Sequence, residues 1–175
     1  MELTKLAPGE FDTVWAAMEE AFPREERRER AEAQRLLHEG RYRVYIAQKD
    51  GERVGFITVW ELESFTYAEH FVIYAAHRNK GYGAEVLRAL KAIYPRLLLE
   101  AEPPEDDLKR RRLAFYRRNG FCQNDFPYLQ PSYHEPGAEV PLVLMSYPTP
   151  LSDPEAAARE LYRCVYEKPY PERQA

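Results

Sequence analysis

Apolar residues recur at helical spacing near the start of the chain and at strand spacing after it. One helical face over residues 9–22 is formed by Phe11, Val14, Trp15, Met18 and Phe22. A second, highly charged helix is predicted over residues 24–39, because Leu36 and Leu37 anchor it and Gly40 is a helix-end signal. The chain therefore opens with two predicted helices.

Three meandering strands are predicted next, over residues 42–47, 54–61 and 65–74, and Asp50-Gly51 is typical of the hairpin turn between the first two. The later elements are a helix over 81–94, a buried strand at 97–99, a helix over 107–119, a short strand over 121–126, a Pro- and Tyr-rich loop over 127–137, a strand over 140–147, a helix starting at Ser152-Asp153-Pro154-Glu155 and a loose tail from Lys168. This order predicts an α/β fold with a mixed sheet, and a right-handed βαβ unit over residues 65–101.

Length and composition narrow the class of protein. A chain of 175 residues predicts one domain, and 45% hydrophobic with 13% aromatic residues excludes a disordered protein. No stretch approaches the roughly 20 apolar residues of a membrane-spanning helix, and no secretory signal is visible at the N-terminus. Cys122 and Cys164 form neither a metal-binding spacing nor a disulfide framework, so we expect a cytoplasmic protein.

The most informative segment follows the strand predicted at 65–74. Residues 71–83 lead an apolar strand through a short loop into Gly81-Tyr82-Gly83 at a helix start. Glycines allow close backbone approach, and the first N–H groups of a helix favour an anion. Arg78 and Lys80 add positive charge, although a plain strand-to-helix turn explains the glycines equally well. Val86 replaces the third glycine of a dinucleotide-binding fingerprint, and no P-loop sequence is present.

Arg78-x-x-Gly81-x-Gly83 resembles the signature of the GCN5-related N-acetyltransferase (GNAT) superfamily. A second match, at residues 113–121, resembles the family's helix that ends in Phe-Tyr, three residues, then Gly-Phe. The resemblance covers about residues 3–147. It departs at Lys109, where members often have Asn, and at Ala75, where a proline is usual. It implies a mixed, mostly antiparallel sheet with two splayed strands, a GNAT domain over residues 1–148 and an appended C-terminal helix and tail over 149–175.

The resemblance implies acetyl-CoA as cosubstrate, lying between the splayed strands, and no metal. Carried over by position, the backbone of Phe71, Val72 and Ile73 faces the pantetheine and thioester, and an N–H near Ile73 polarises the acetyl carbonyl. The implied pyrophosphate site comprises Arg78, Asn79, Lys80, Gly81, Tyr82, Gly83 and Ala84.

The implied reaction is direct acetyl transfer to an amine, with Tyr116 as proton donor to the leaving thiolate. An alkyl amine has a pKa of about 10.4, so a base must deprotonate it. Glu69 and Glu100 are the two candidates, with His70 as an alternative or a relay. Simpler roles remain open: Tyr116 as a packed core tyrosine, and Glu100 paired with Arg111 or Arg112.

The acceptor is expected to be an amine of a small molecule or a protein. The Pro-rich loop contains groups suited to a cationic amine or to ordinary loop packing, namely Tyr128, Gln130, Tyr133, His134 and Glu135. The basic run at 109–118 is interpreted as a solvated helix face, so no nucleic-acid partner is expected, nor a membrane. A homodimer is compatible with the sequence. The alternatives are a non-catalytic acyl-CoA-binding or sensing module, and a nucleic-acid-binding protein.

Overall fold

A computed structural model describes residues 1–134 and 138–171 of the chain. The chain divides into two compact units, Met1–Leu97 and Leu98–Ala175. Secondary structure is mixed α/β in both units, as the sequence predicts. No helix in the described ranges is long and apolar enough to cross a membrane. The predicted boundary at residue 148 stays a prediction.

The strands of the first unit form an antiparallel run in the order β1-β2-β3-β4. Their bounds are β1 Glu2–Lys5, β2 Tyr42–Lys49, β3 Glu52–Glu61 and β4 Thr66–Ile73. The predicted hairpin turn is confirmed, because Asp50 and Gly51 have φ of 51° and 82°. β1 is absent from the sequence prediction. Its four residues, Glu-Leu-Thr-Lys, have too little apolar alternation to signal a strand, and only pairing with β2 defines it.

Three α-helices belong to the first unit: α1 Phe11–Ala21, α2 Arg30–Leu36 and α3 Tyr82–Ile93. The apolar face predicted for the first helix is confirmed, with Phe11, Val14, Trp15 and Met18 buried. The helix predicted over 24–39 is wrong in its first half, where a short 3-10 turn at Arg24–Glu26 gives way to extended backbone at Arg27 and Glu29. Long-range contacts of this segment, described below, replace the helical hydrogen bonds.

β4 contains a bulge opposite the middle of β3. Ile57 pairs with Phe71 but Val59 pairs with Ala68, so Thr58 faces two residues of β4, Glu69 and His70. The backbone N–H of His70 donates to Thr58 Oγ1 at 3.0 Å. In a regular strand neighbouring side chains point to opposite faces. Here both side chains of the bulge are buried, Glu69 with 1% and His70 with 6% of the side chain exposed.

A close approach between β3 and β4 lies further along the same ladder. Gly55 pairs with Ile73, and a Cβ on Gly55 would lie 2.1 Å from the carbonyl oxygen of Val72. Real Cβ atoms essentially never come within 3.0 Å of another heavy atom. The absence of a side chain at Gly55 therefore sets the spacing of the two strands where β4 leads into the loop before α3.

The second unit has the strand order β5-β8-β6, with β7 also paired to β8. Its elements are β5 Leu97–Ala101, α4 Asp107–Arg118, β6 Cys122–Gln123, β7 Tyr128–Gln130, β8 Val140–Tyr147, α5 Pro154–Leu161 and a π-helical turn at Tyr162–Tyr166. The predicted start of the last helix is confirmed, because the Asp153 carboxylate accepts the N–H of Ala156 at 2.9 Å.

Three predictions in the second unit need correction. The strand predicted over 121–126 is reduced to Cys122–Gln123, and the loop predicted over 127–137 contains β7. The tail is not loose at Lys168, whose Nζ donates to the carbonyl of Ser132, nor at Tyr170, whose ring lies 5.0 Å from that of Tyr162. Pairing with distant residues orders all three segments.

Candidate active site

The predicted phosphate-binding turn lies at the N-terminus of α3. Gly81, the residue before the helix, has φ of 80°, and Asn79 has φ of 61°. In the described part of the chain, the backbone N–H groups of residues 79–83 donate to no protein acceptor. Five available donors at the positive end of a 12-residue helix are an arrangement that suits an anion, and the phosphate site itself stays a prediction.

Contacts on both sides hold the turn in place. Arg78 Nε donates to the carbonyl of Ile73 at 3.0 Å, so this guanidinium closes the loop between β4 and α3. Val86, Leu87 and Leu90 are buried and anchor the helix. These contacts fix the position of the turn between β4 and α3. The exposed Lys80 adds positive charge beside it.

The C-terminal end of α3 is tied to the sheet by a polar chain. Tyr94 Oη donates to Glu61 Oε1 at 2.6 Å and lies 2.8 Å from Tyr45 Oη. Burial and the bonds to these two partners raise the pKa of Tyr94 above its ordinary value, so the phenol stays protonated and keeps this link.

The residues predicted to face the thioester are regular members of β4. Phe71 pairs with Ile57, Val72 with Phe56 and Ile73 with Gly55. Val72 is buried, while Phe71 and Ile73 are half-buried. Their proposed contacts with pantetheine stay a prediction.

Glu69 lies in a buried cluster that includes a segment far away in sequence. Its carboxylate pairs with Arg28, which is 5% exposed, and accepts the Trp60 Nε1–H at 3.0 Å. The Arg28 guanidinium also lies 5.2 Å from the Trp60 ring centre. Burial raises the pKa of Glu69, but the Arg28 charge and the hydrogen bonds outweigh it and hold that pKa below its ordinary value. This geometry favours a structural ion pair over a base.

His70 extends the same cluster towards the segment before α2. Its Nε2 lies 3.0 Å from the carbonyl oxygen of Glu26, so Nε2 carries the proton and donates. Its Nδ1 lies 3.5 Å from Glu69 Oε2, and the Phe22 ring packs edge-on at 4.8 Å. The bulge thus connects β4 to residues 22–28, which explains why residues 24–29 are not one helix.

Tyr116 lies in the last turn and a half of α4, in the second unit. Its ring packs 5.3 Å from Phe115 and 5.9 Å from Phe121. No protein group among the described residues hydrogen-bonds its hydroxyl. Burial raises the pKa of Tyr116, partly offset by the Arg112 charge, so the phenol holds its proton at neutral pH. The packed ring and available hydroxyl suit a proton donor.

Glu100 occupies β5 and is half-buried. Its Oε1 accepts the Tyr128 hydroxyl at 2.5 Å, and its Oε2 accepts Gln130 Nε2 at 2.7 Å and the Tyr166 hydroxyl at 2.9 Å. All three donors are uncharged. Burial and the Glu100 charge raise the pKa of Tyr128 well above its ordinary value, so it remains a donor. Tyr166 was missed by the sequence reading, because nothing local connects it to a residue 66 positions earlier.

The predicted alternative for Glu100, pairing with Arg111 or Arg112, is not found for Arg112. The Arg112 guanidinium instead pairs with Glu102. The Oε1 atom of Glu102 also lies 3.7 Å from Lys109 Nζ. Lys109, the departure from the family pattern, additionally pairs with Glu105 at 2.7 Å. The start of the basic run is therefore balanced by nearby carboxylates.

The rest of the candidate acceptor loop is partly described. The Tyr133 ring lies 5.5 Å from that of Tyr166, and the His134 N–H donates to Ser132 Oγ at 3.1 Å. Glu135 lies outside the described residues. Within the described ranges, no group of three or more His, Cys, Asp or Glu side chains is placed to hold a metal ion.

Comparison with known proteins identifies the family. The model of the acetyltransferase (GNAT) domain matches residues 40–123. A GNAT-family protein from Bacteroides thetaiotaomicron, assigned as an acetyltransferase, superposes with a TM-score of 0.90 and 30% identity over 95% of this chain and 98% of its own. The chain matches none of the curated proteins.

Two more distant structures share the fold alone. A variant of the spermidine N-acetyltransferase from Vibrio cholerae has a TM-score of 0.61 and 12% identity, over 83% of this chain and 94% of its own. An aminoglycoside 6'-N-acetyltransferase in complex with coenzyme A has a TM-score of 0.61 and 15% identity, over 87% of this chain and 100% of its own. With the match to the Bacteroides thetaiotaomicron protein, these findings confirm the predicted fold class, and the chain belongs to the GNAT superfamily of acetyltransferases.

Proposed function

We propose that this protein is an acetyl-CoA-dependent N-acetyltransferase, which moves the acetyl group directly to a primary amine of a small molecule or a protein. The observation that carries the proposal is the run of available backbone N–H groups at residues 79–83, at the N-terminus of α3. Such a run fits the pyrophosphate of CoA. Within the predicted site from Arg78 to Ala84, the N–H groups of Arg78 and Ala84 already donate to the carbonyls of Ala75 and Gly81, so the N–H groups of residues 79–83 would hold it. Acetyl-CoA supplies the activated acetyl group as a thioester.

Two residues of this chain, Glu100 and Tyr116, carry out the two proton transfers of the reaction. Glu100 takes a proton from the acceptor amine as the amine nitrogen bonds to the acetyl carbon. The carbon–sulfur bond breaks, and Tyr116 gives its proton to the departing thiolate. A backbone N–H near Ile73 stabilises the charge that develops on the carbonyl oxygen. Glu100 then releases its proton to solvent, and the Tyr116 phenol takes a proton back from solvent, so both groups return to their starting states.

Glu100 is preferred to Glu69 as the base because of their partners. Arg28 neutralises Glu69 in a buried site, and that carboxylate would have to give up an ion pair to accept a proton. Glu100 is half-buried and held by neutral donors, which orient it and leave its charge in place. His70 donates to the Glu26 carbonyl and is also engaged in the structural cluster.

The class of acceptor is supported by the names of related structures. The Vibrio cholerae protein is named for spermidine and the CoA complex for aminoglycosides, and both of these are amines. We further propose a cytoplasmic location, consistent with two cysteines that form no disulfide in the described ranges. No nucleic-acid or membrane partner is proposed, and a homodimer is compatible with the proposal.

Tyr116→Phe tests the enzyme against the alternative, a non-catalytic acyl-CoA sensor. Thiol release from acetyl-CoA with a panel of amines should fall about 10²-fold in the variant, because the leaving thiolate loses its proton donor. CoA binding, measured by calorimetry, should stay unchanged.

Tyr147→Phe is the matched control, since it removes a hydroxyl beside the same Phe121 ring. We expect wild-type turnover in that variant. CoA binding without acetyl transfer to any amine in the wild type would favour the sensor, and absence of CoA binding would reject both readings.

A further inference from the structure

We propose that Tyr166, in the π-helical turn after α5, is a positioning residue that fixes the Glu100 carboxylate for proton transfer. The inference rests on the proposed function, in which Glu100 is the base. It makes the segment from 154 to 166 part of the catalytic machinery, although the family's two sequence motifs both lie upstream of it.

The hydrogen bonds around Glu100 form a closed triangle. Gln130 Nε2 has two hydrogens, and it lies 2.7 Å from Glu100 Oε2 and 2.8 Å from Tyr166 Oη. Tyr166 Oη accepts from Gln130 and donates its own proton to Glu100 Oε2 at 2.9 Å. Every proton in the triangle is therefore assigned, and Oε2 has one allowed arrangement. The Tyr128 hydroxyl fixes Oε1 in the same way.

The π-helical turn places Tyr166 for this task. Two hydroxyls of the turn reach different strands: Tyr162 donates to the Leu129 carbonyl in β7 at 2.6 Å, and Tyr166 donates to Glu100 in β5. The wide turn closes with the Lys168 N–H on the Tyr162 carbonyl at 2.9 Å, and Glu167 takes a φ of 53°. Single π-helical turns occur frequently at functional sites, because they displace side chains from regular helical positions.

Aromatic packing keeps the Tyr166 hydroxyl from moving elsewhere. Tyr166 is 7% exposed, and its ring lies 5.5 Å from Tyr133 and 6.3 Å from Tyr162. Tyr128 from β7 and Tyr166 from the π-helical turn bond the Glu100 carboxylate directly, and the Glu100 charge also acts on Tyr162 of the same turn. Burial, chiefly, raises the pKa of Tyr128 and of Tyr162, so both keep their protons.

A base works only when its oxygen is aimed at the proton, and a small misorientation has a large effect on rate. Removal of the Tyr166 hydroxyl takes one of the two named donors from Oε2 and leaves Gln130 on Oε2 and Tyr128 on Oε1, so the carboxylate is held less tightly. The expected consequence is slower proton transfer with unchanged cosubstrate binding.

The experiment compares Tyr166→Phe with Tyr170→Phe, which removes a phenol from the same aromatic cluster but makes no contact with Glu100. We expect kcat to fall about 10-fold in Tyr166→Phe and to stay within about two-fold in Tyr170→Phe. KM for acetyl-CoA and the melting temperature should be unchanged in both. A loss confined to stability or to KM would contradict a positioning role.

A double-variant cycle shows whether Tyr166 acts through Glu100. In a Glu100→Gln background, Tyr166→Phe should cause no further loss of kcat, because the carboxylate that it orients is gone. An undiminished loss in that background, or an unchanged kcat in Tyr166→Phe alone, overturns the proposal.

A readout without activity separates this proposal from the proposed function. With ¹³C-labelled Glu, the Glu100 carboxyl resonance, assigned by its absence in Glu100→Gln, should shift in Tyr166→Phe and not in Tyr170→Phe. If the wild type acetylates no amine, the proposed function fails, but a shifted resonance still shows that Tyr166 holds the carboxylate. An unshifted resonance rejects the positioning contact even if acetyl transfer is observed.

Discussion

Glu69 and Glu100 are both carboxylates on sheet strands, yet their surroundings differ. Glu69 is buried and faces a cation, Arg28, together with Trp60 and His70. Glu100 is half-buried and accepts hydrogen bonds from a glutamine and two tyrosines. In the first arrangement, the Arg28 guanidinium neutralises the charge of the Glu69 carboxylate inside the protein. In the second, the uncharged donors orient the Glu100 carboxylate without neutralising it.

The difference teaches that the partners of a carboxylate, more than its burial, separate a structural role from a chemical one. Protonating one member of a buried ion pair is unfavourable, because the other member is then left as an uncompensated charge in the protein interior. Neutral donors impose direction without neutralising, which suits a group that must exchange a proton. Four measurements test this interpretation of the two carboxylates and of the site around them.

The largest effect is expected on stability from Glu69→Gln. The variant removes the buried carboxylate partner of the Arg28 guanidinium, so the free energy of unfolding should fall by about 3–5 kcal/mol in urea denaturation. Glu32→Gln is the control, because Glu32 meets the same Arg28 at 3.3 Å but is 44% exposed. Its effect should stay below about 1 kcal/mol. Equal losses in the two variants would mean that the buried Arg28–Glu69 pair contributes no more to the free energy of unfolding than the exposed Arg28–Glu32 pair.

Turnover should respond in the opposite way. Glu100→Gln is expected to lower kcat about 10²-fold, equal to about 3 kcal/mol, while the melting temperature changes little, since the amide keeps the shape of the carboxylate. Glu102→Gln removes a carboxylate two residues further along, which is paired with Arg112, and serves as the control. Wild-type turnover in Glu100→Gln would assign the proton transfer to another group.

Acid should remove the stabilisation that the Glu69 carboxylate provides. Its folded pKa lies below the ordinary value of 4.5, so its stabilisation is complete above pH 4.5 and is lost as the pH falls below that value. The stability gap between the wild type and Glu69→Gln should shrink below pH 4.5, by at most about 1.4 kcal/mol per pH unit. A gap that is constant between pH 6 and 3 would show that Glu69 is not ion-paired.

The smallest effect concerns the predicted phosphate-binding turn. Gly81→Ala forces a side chain into a φ of 80°, at a cost of about 1 kcal/mol, and should weaken CoA binding about five-fold by calorimetry. Gly40→Ala is the control, because Gly40 has open space and no positive φ. With saturating acetyl-CoA, kcat should be unchanged in both variants. A loss of kcat in Gly81→Ala would show that the turn contributes to more than binding.

The sequence predicted those parts of the fold that local chemistry determines. The α3 turn follows from glycine spacing, the 50–51 hairpin from Asp-Gly, and the start of α5 from a capping Asp before Pro. β1, β7 and the extended residues 27–29 were missed, because each is defined by a partner far away in the chain. For β7, the flanking Pro127 and Pro131 also gave a strong loop signal.

The same distinction applies to the candidate site. Tyr116 and the residues from Arg78 to Ala84 are marked by spacing, so the sequence alone was enough to predict them as site residues. The two carboxylates looked equivalent in sequence. Only the fold brings Arg28 to one of them and Tyr128, Gln130 and Tyr166 to the other, across separations of 28 to 66 residues.

The close approach at Gly55 has a consequence for how variation in this family is interpreted. Any other residue there would push the Val72 carbonyl, and with it the last residues of β4, away from β3. A glycine retained at this position among relatives would record a distance between two backbones rather than a contact with a substrate. Its retention would therefore be expected even in a relative that had lost catalysis altogether.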